Sequence, residues 1–326
     1  MVFFIPMTDR NNSTTPVSQP PAAPRLVTVD AESAERRLDN FLMGHLKGLP
    51  RSRIYRIIRT GEVRVNKGRV KPAYRIKEGD VVRIPPVWGL REGSEHTISQ
   101  SRASWVAENI LYEDSSLLVL NKPSGLAVHG GSGVSLGAIE LLRAARPDNR
   151  YMELVHRLDR ATSGCLLIAK KRSSLRRLHE AFREGKVRKI YHALLLGQWA
   201  GGKREVALPL VTDHRQGGER HVRPGEDGKP ALTRFYPEKL FKDAVLVRVE
   251  LLTGRTHQIR VHSAAIGYPV AGDERYGGGR PAPAGLKRLF LHASSLTFNH
   301  PDDGRKIEFE SPLESSLNGV LNKLAV

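Results

Sequence analysis

The sequence predicts an α+β protein in two parts: a small basic module, then a larger domain on a mainly antiparallel or mixed sheet. Three observations carry that prediction. An amphipathic helix pair runs straight into a short alternating strand near the N-terminus. A polar stretch without periodicity follows it. Beyond that, apolar strand patterns joined by short turns outnumber helical ones. With 326 residues, 40% of them hydrophobic, the larger part has enough apolar material for a sizeable core.

Residues 8–25, TDRNNSTTPVSQPPAAPR, have almost nothing to bury, so 1–26 reads as a flexible tail. MVFFIPM ahead of it lacks a basic leader, and no run of about 18 apolar residues occurs anywhere, so neither export nor a membrane span is expected. Leu38, Phe41, Leu42 and Leu46 follow helical spacing and predict a helix over 34–47, ended by Gly48 and Pro50. In RSRIYRIIRTGEVRVN the isoleucines 54, 57 and 58 form one face of a second helix, Arg53, Arg56 and Arg59 lie off it, and Gly61 is the stop. Val63 and Val65 alternate as a strand, NKG at 66–68 is a turn, and VVRIPP at 81–86 is a closing strand. These elements make a module over 27–86. Residues 87–105 read as a linker.

The larger domain spans 106–326. ILYEDSSLLVLNKPSG predicts two strands around a turn, CLLIAKK, YHALLLGQW and AVLVRVELLTG further strands, and SSLRRLHEAFREGK a helix with Leu175, Leu178 and Phe182 inward. In THQIRVHSAAIG, Ile259, His262 and Ile266 recur at helical spacing. No internal repeat is visible.

Charge narrows the function. Fifty-two Lys and Arg against thirty-four Asp and Glu leave a net +18, which points to a polyanionic partner. From Arg51 to Lys77 the chain carries Arg51, Arg53, Arg56, Arg59, Arg64, Lys67 and Arg69 among other cations, with Glu62 the sole acid. So unbalanced a cluster repels itself unless a polyanion relieves it. The module resembles the S4-type RNA-binding domain, whose helix pair and following strand carry basic residues in this order. One cysteine, Cys165, cannot form an internal disulfide. It predicts a reducing, cytoplasmic setting and reads as core filler.

Several chemistries are excluded or weak. There is no GxxxxGK[ST] loop, no HExxH and no GxSxG. His156, His257 and His262 lack flanking cysteine or carboxylate partners, so no metal is expected. Asp159 stands between Arg157 and Arg160 in HRLDRATSG. Taken alone it reads as a turn acid in a surface ion pair of little energetic weight.

Four segments in order change that reading: NKPSGLAVH at 121–129, HRLDRATSG at 156–164, KIYHALLLG at 189–197 and LLTGRTHQIRVH at 251–262. Together they resemble the motifs of the RluA-type pseudouridine synthases over residues 109–320, with Ala161 the one departure. The resemblance implies a central cleft, no cofactor, and conversion of uridine to its C5 glycoside. Asp159 would be the nucleophile, paired to Arg260. Tyr191 would stack on uracil and help remove the C5 proton. Arg157 would fill the stack vacated by a flipped base, on the same strand side as Asp159, and Arg255 would brace the backbone or touch a phosphate. Lys170, Lys171, Arg172, Arg176, Arg177, Lys186, Arg188 and Lys189 would form a phosphate-gripping rim. The implied partner is large-subunit ribosomal RNA or a ribosome assembly intermediate, met by a monomer with no membrane. A non-catalytic ribosome-associated or assembly protein is the alternative. A glycoside hydrolase would need a second well-placed acid, for which Glu153 is the nearest spare.

Overall fold

Buried isoleucines against exposed arginines shape the smaller of two units, Met1–Thr97, in the computed structural model; the other is Ile98–Val326. The structure describes residues 23–46, 49, 51–86, 99–130, 136–149, 151–214 and 220–325. Tail positions 1–22, linker positions 87–98, and Gly48 and Pro50 lie outside them.

In the smaller unit β1 (Arg25–Thr28) precedes α1 (Leu38–His45), α2 (Arg51–Arg59), β2 (Arg64–Val65) and β3 (Val81–Ile84). Ile54, Ile57 and Ile58 on α2 are buried with Leu38, Phe41 and Leu42 of α1 in one apolar cluster, while Arg53, Arg56 and Arg59 face water. The strands order as β1-β3-β2. Asn66 and Lys67 both take positive φ, 48° and 67°, the left-handed pair that a tight hairpin turn requires. The first helix is shorter than the predicted 34–47, because 31–35 form turns held by Asp30, which accepts from the Ser33 amide. Strand β1 starts at Arg25, two residues inside the segment read as tail, and pairs antiparallel with β3.

The larger unit opens with α3 (Gln100–Ala107), β4 (Ile110–Glu113), β5 (Leu117–Lys122), α4 (Ala138–Ala145), β6 (Glu153–Leu154), β7 (Ser163–Ala169), α5 (Arg172–Arg183) and β8 (Arg188–Leu196). It continues with β9 (Arg204–Val206), the hairpin β10 (Leu210–His214) and β11 (Arg220–Pro224), β12 (Thr233–Leu240), β13 (Ala244–Leu251) and α6 (Gln258–Ala265). It closes with β14 (Leu291–Asn299), β15 (Lys306–Glu310) and α7 (Ser315–Leu324). One large sheet runs β4-β5-β7-β14-β8-β13-β12-β9, with β6 beside β7 and β15 beside β14. It is antiparallel except where β14 meets β7, which bears out the mainly antiparallel, mixed sheet. Helix α3 extends back into 100–105, residues read as linker; the Ala103 and Val106 side chains are buried.

The parallel seam sits at the centre, pairing His292 with Ser163 and Ala293 with Gly164. Both strands are buried on both faces, which is why they read as near-continuous apolar runs. Gly164 has φ +105°, and a Cβ there would collide with the Ala293 backbone carbonyl. No side chain fits at that pairing. The lone cysteine, Cys165, is fully buried beside it, and burial pushes its thiol up to about 12.

Gly164→Ala should therefore destabilise the larger unit by about 2–5 kcal/mol, from backbone strain plus overpacking. Urea unfolding followed on that unit's transition measures it.

Candidate active site

Asp159 lies in the loop between β6 and β7, and backbone contacts hold that loop from several sides. The Thr162 amide donates to the Asp159 carbonyl at 3.1 Å, closing a turn. The Arg160 carbonyl accepts from the Gly125 amide at 2.8 Å, and Arg160 Nε donates back to the Gly125 carbonyl at 2.9 Å. Ser124 Oγ donates to the Ala161 carbonyl at 2.8 Å. The NKPSG loop is thus a brace for the carboxylate turn.

Lys122 ties the two loops. Its ammonium is fully buried and donates to three carbonyls: Leu126 at 2.8 Å, Pro123 at 2.9 Å and Arg160 at 3.2 Å. Burial, assisted by the Arg288 charge and opposed by Asp159, lowers it to about 7. Nothing in the sequence marked Lys122 beyond its place in the motif.

Arg260, on α6, faces two carboxylates and treats them unequally. Its Nε and Nη2 donate to Oδ2 and Oδ1 of Asp273 at 2.7 and 2.8 Å, a two-point fork on a fully buried side chain. The remaining Nη1 lies 3.5 Å from Asp159 Oδ2. The ion pair expected between Arg260 and Asp159 is present, but the shorter and bidentate partner is Asp273, which sequence reading missed. The signal was GDERYG at 272–277: its glycine has φ +74° and approaches the Arg288 carbonyl so closely that a Cβ would clash. Asp273 then also collects the Arg275 and Tyr276 amides, each at 3.0 Å. Burial opposes its charge, but Arg260 and those amides prevail and hold its carboxyl below the usual range.

His257 also approaches Asp159, with Nε2 at 3.8 Å from Oδ2. It precedes α6 with φ 53°, a left-handed conformation costing a non-glycine residue about 1–3 kcal/mol. Gln258 fixes this loop: its Oε1 accepts from Thr253 Oγ1 and the Arg255 amide, and its Nε2 donates to the Leu232 carbonyl. The other two histidines once grouped with His257 work elsewhere. His156 accepts from the Leu167 amide, and His262 lies between Thr233 Oγ1 and the Leu208 carbonyl. Among the described residues no three His, Cys, Asp or Glu side chains gather as a metal site.

Tyr191, on β8, is buried and lines a cavity of about 110 Å³ together with Asp159, His257 and Leu291. Burial first, then the Asp159 charge, pushes its phenol up. A phenol kept neutral is a poor resting base. A second, open cavity of about 1280 Å³ shares Arg157, Asp159, His257 and Arg260 with the first. Arg157 is exposed, lies in a loop rather than on a strand, and its side chain bonds none of the described residues. Arg255 Nε donates to the Pro230 carbonyl at 3.0 Å, the backbone brace that was expected as one option.

The predicted lysine and arginine rim is not at this cavity. Lys170 pairs with Glu113, Lys171 with Asp302, Lys186 with Glu184 and Arg188 with Glu250, while Arg177 donates to the Pro301 carbonyl. Arg160, Arg275, Arg280, Lys287 and Arg288 line it instead. Four of these follow Asp273 in a Gly- and Pro-rich stretch that has no periodicity to read. Glu153 pairs with Arg143 away from both cavities, so the second acid of a glycoside hydrolase is not supplied there. In the smaller unit Arg53, Arg56, Arg59, Arg64, Lys67 and Arg69 are all exposed, and Arg51 opens the same helix α2.

Comparison with known proteins follows the same division. A family model described as RNA pseudouridylate synthase matches residues 116–265, and an S4 domain model matches residues 36–82. Ribosomal large subunit pseudouridine synthase C of Yersinia pestis is 52% identical over 302 residues, which cover 91% of this chain and 94% of that protein. The protein of the same name from Escherichia coli (strain K12) is 52% identical over 308 residues, 92% of this chain and 96% of that one. Among solved structures, human RNA pseudouridylate synthase domain containing 4 superposes with a TM-score of 0.57 at 25% identity, covering 68% of this chain and 95% of that chain. Human RNA pseudouridylate synthase domain containing 1 gives 0.53 at 29% identity, over 64% and 85%.

Asp273→Asn should cost about 3 kcal/mol at neutral pH by leaving a buried guanidinium without its charge partner. A carboxyl held below its ordinary 3.8 stabilises fully above that value, and the stabilisation is lost as pH falls through the lowered one. The stability gap between wild type and Asp273→Asn should therefore be full near neutrality and shrink below pH 3.8. Urea titrations across that range measure it.

Proposed function

The chain belongs to the RNA pseudouridylate synthase family and is an enzyme of that class, and on that premise we propose that it isomerises uridines of large-subunit ribosomal RNA with Asp159 as the reacting carboxylate. The observation that carries this reading is the position of Asp159. It stands where a small cavity with Tyr191 adjoins a large one rich in cations, with Arg260 and His257 nearest to a single oxygen.

The reaction breaks the bond from C1′ to N1 and joins C1′ to C5 of the same base. The C5 hydrogen leaves and N1 gains one, so no redox partner or energy source is consumed. What is required is a dry, ring-sized chamber that retains the detached base, and a carboxylate at its mouth. Tyr191 and Leu291 form the apolar wall. A uridine in a stem must first leave its stack at a cost of a few kcal/mol. Arg157, exposed and unbonded beside Asp159, has the planar group to occupy the gap. The cations along 275–288 and Arg255 would then hold the displaced backbone, which positions RNA without reading its sequence.

In this reading the S4 domain supplies affinity through Arg51, Arg53, Arg56, Arg59, Arg64, Lys67 and Arg69, and the enzyme works as a cytoplasmic monomer on free RNA or an assembly intermediate. Among the described residues no helix is long and apolar enough to cross a membrane.

Asp159→Asn should abolish tritium release from C5-labelled large-subunit RNA while RNA binding stays near wild type. An active variant would refute the assignment, and an inactive wild type that still binds RNA would favour the non-catalytic alternative. Changing Arg51, Arg53 and Arg56 together to alanine should weaken RNA binding and make the slope of log affinity against log salt shallower by about 2–3. Binding titrations at several salt concentrations read that slope.

A further inference from the structure

We propose that His257 and Tyr276 are a positioning pair that holds one oxygen of Asp159 and presents the other to the substrate. Both groups that approach the carboxylate converge on Oδ2, Arg260 Nη1 at 3.5 Å and His257 Nε2 at 3.8 Å. Oδ2 is thus the oxygen nearest to both groups, and Oδ1 accepts no hydrogen bond from any described residue. At these distances both contacts are electrostatic, and they favour one oxygen over the other.

Tyr276 decides which face His257 shows. Tyr276 Oη accepts from the Val222 amide at 3.3 Å and sits 2.8 Å from His257 Nδ1. With one acceptor position of the hydroxyl taken by Val222, its proton is available to Nδ1. In the proposed arrangement it is donated there, which puts the ring hydrogen on Nε2, on the carboxylate side. The opposite tautomer would set a nitrogen lone pair against a negative charge. The groups facing this ring are Asp159, Asp273, Arg260, Arg275 and Tyr276. Burial lowers the imidazole, Arg260 and Arg275 add to that, and the two aspartates oppose it. A ring kept neutral has a choice of tautomer, and the tyrosine makes it.

The pair packs against the arginine clamp. Tyr276 meets the His257 ring edge-on, with centroids 5.6 Å apart, and its own ring lies 5.0 Å from the Arg260 guanidinium. Its amide is bound to Asp273. His257 is fixed from the backbone side by its left-handed conformation, one that histidine tolerates better than most residues.

The inference rests on Asp159 being the reacting carboxylate. Three variants test it: Tyr276→Phe, which keeps the ring and loses the hydroxyl; His257→Asn, whose residue also accepts a left-handed backbone; and the double variant. Single-turnover tritium release and RNA affinity are measured for each, together with the nitrogen NMR spectrum of histidine-labelled protein without RNA. Each single variant should slow release by about ten- to a hundredfold with RNA affinity unchanged, as a small misplacement of a reacting group does. The double variant should be no slower than His257→Asn. The His257 signal, assigned by its loss in His257→Asn, should be the Nε2–H form in wild type and shift in Tyr276→Phe.

Losses that multiply in the double variant, unchanged rates, or an Nδ1–H signal in wild type would each overturn the pair. If His257→Asn fails to fold, His257→Gln replaces it in both measurements. No tritium release by the wild type would defeat the proposed function instead, and the RNA-free spectrum still tests the tautomer by itself.

Discussion

Everything at this site depends on how one guanidinium is shared. A carboxylate gripped at both oxygens by a planar fork is satisfied and inert; one left with a single long contact remains available. Asp273 takes the fork of Arg260 and is buried by it. Of that guanidinium Asp159 receives only the remaining nitrogen, beside the more distant His257 ring. The buried pair therefore also fixes the guanidinium 3.5 Å from Asp159 without spending its fork on that carboxylate.

The sheet sets the distances between the groups that line the cavities. β7 and β8 flank the central β14, so the loop leading into β7 and the tyrosine on β8 arrive at one end of the core. The loop after β13 supplies His257, and α6, which follows it, supplies Arg260. Lys122 shows how strictly the parts are joined: a buried ammonium on three carbonyls is tolerable only where the backbone of two motifs closes around it. The segments at 121–129 and 156–164 depend on each other because each supplies backbone that the other bonds.

The strands of the larger unit were legible because alternation and turn residues are local, and Ile54, Ile57 and Ile58 declared their helix for the same reason. Asp159, Tyr191 and Arg260 stood out through motif resemblance, and the fold brings them to one pair of cavities. What could not be read depends on tertiary partners. Asp273 looked like one more polar residue in a glycine-rich stretch, since nothing local says that an arginine thirteen residues earlier will meet it. The lysines after β7 looked like an RNA rim because a sequence shows charge and not the acids that consume it. Helix α3 was hidden inside a segment whose composition resembled a linker.

The parallel seam has a consequence in time. Ser163 and His292, joined there by a hydrogen bond, are 129 residues apart, and contacts of such separation close slowly because a long loop must be ordered first. During synthesis from the N-terminus the carboxylate loop, the tyrosine and the arginine helix all emerge before the strand that locks β7 to β8. The basic N-terminal module, whose contacts are local, is complete far earlier. In a nascent chain the basic module is thus complete well before β14 closes the sheet around the two cavities.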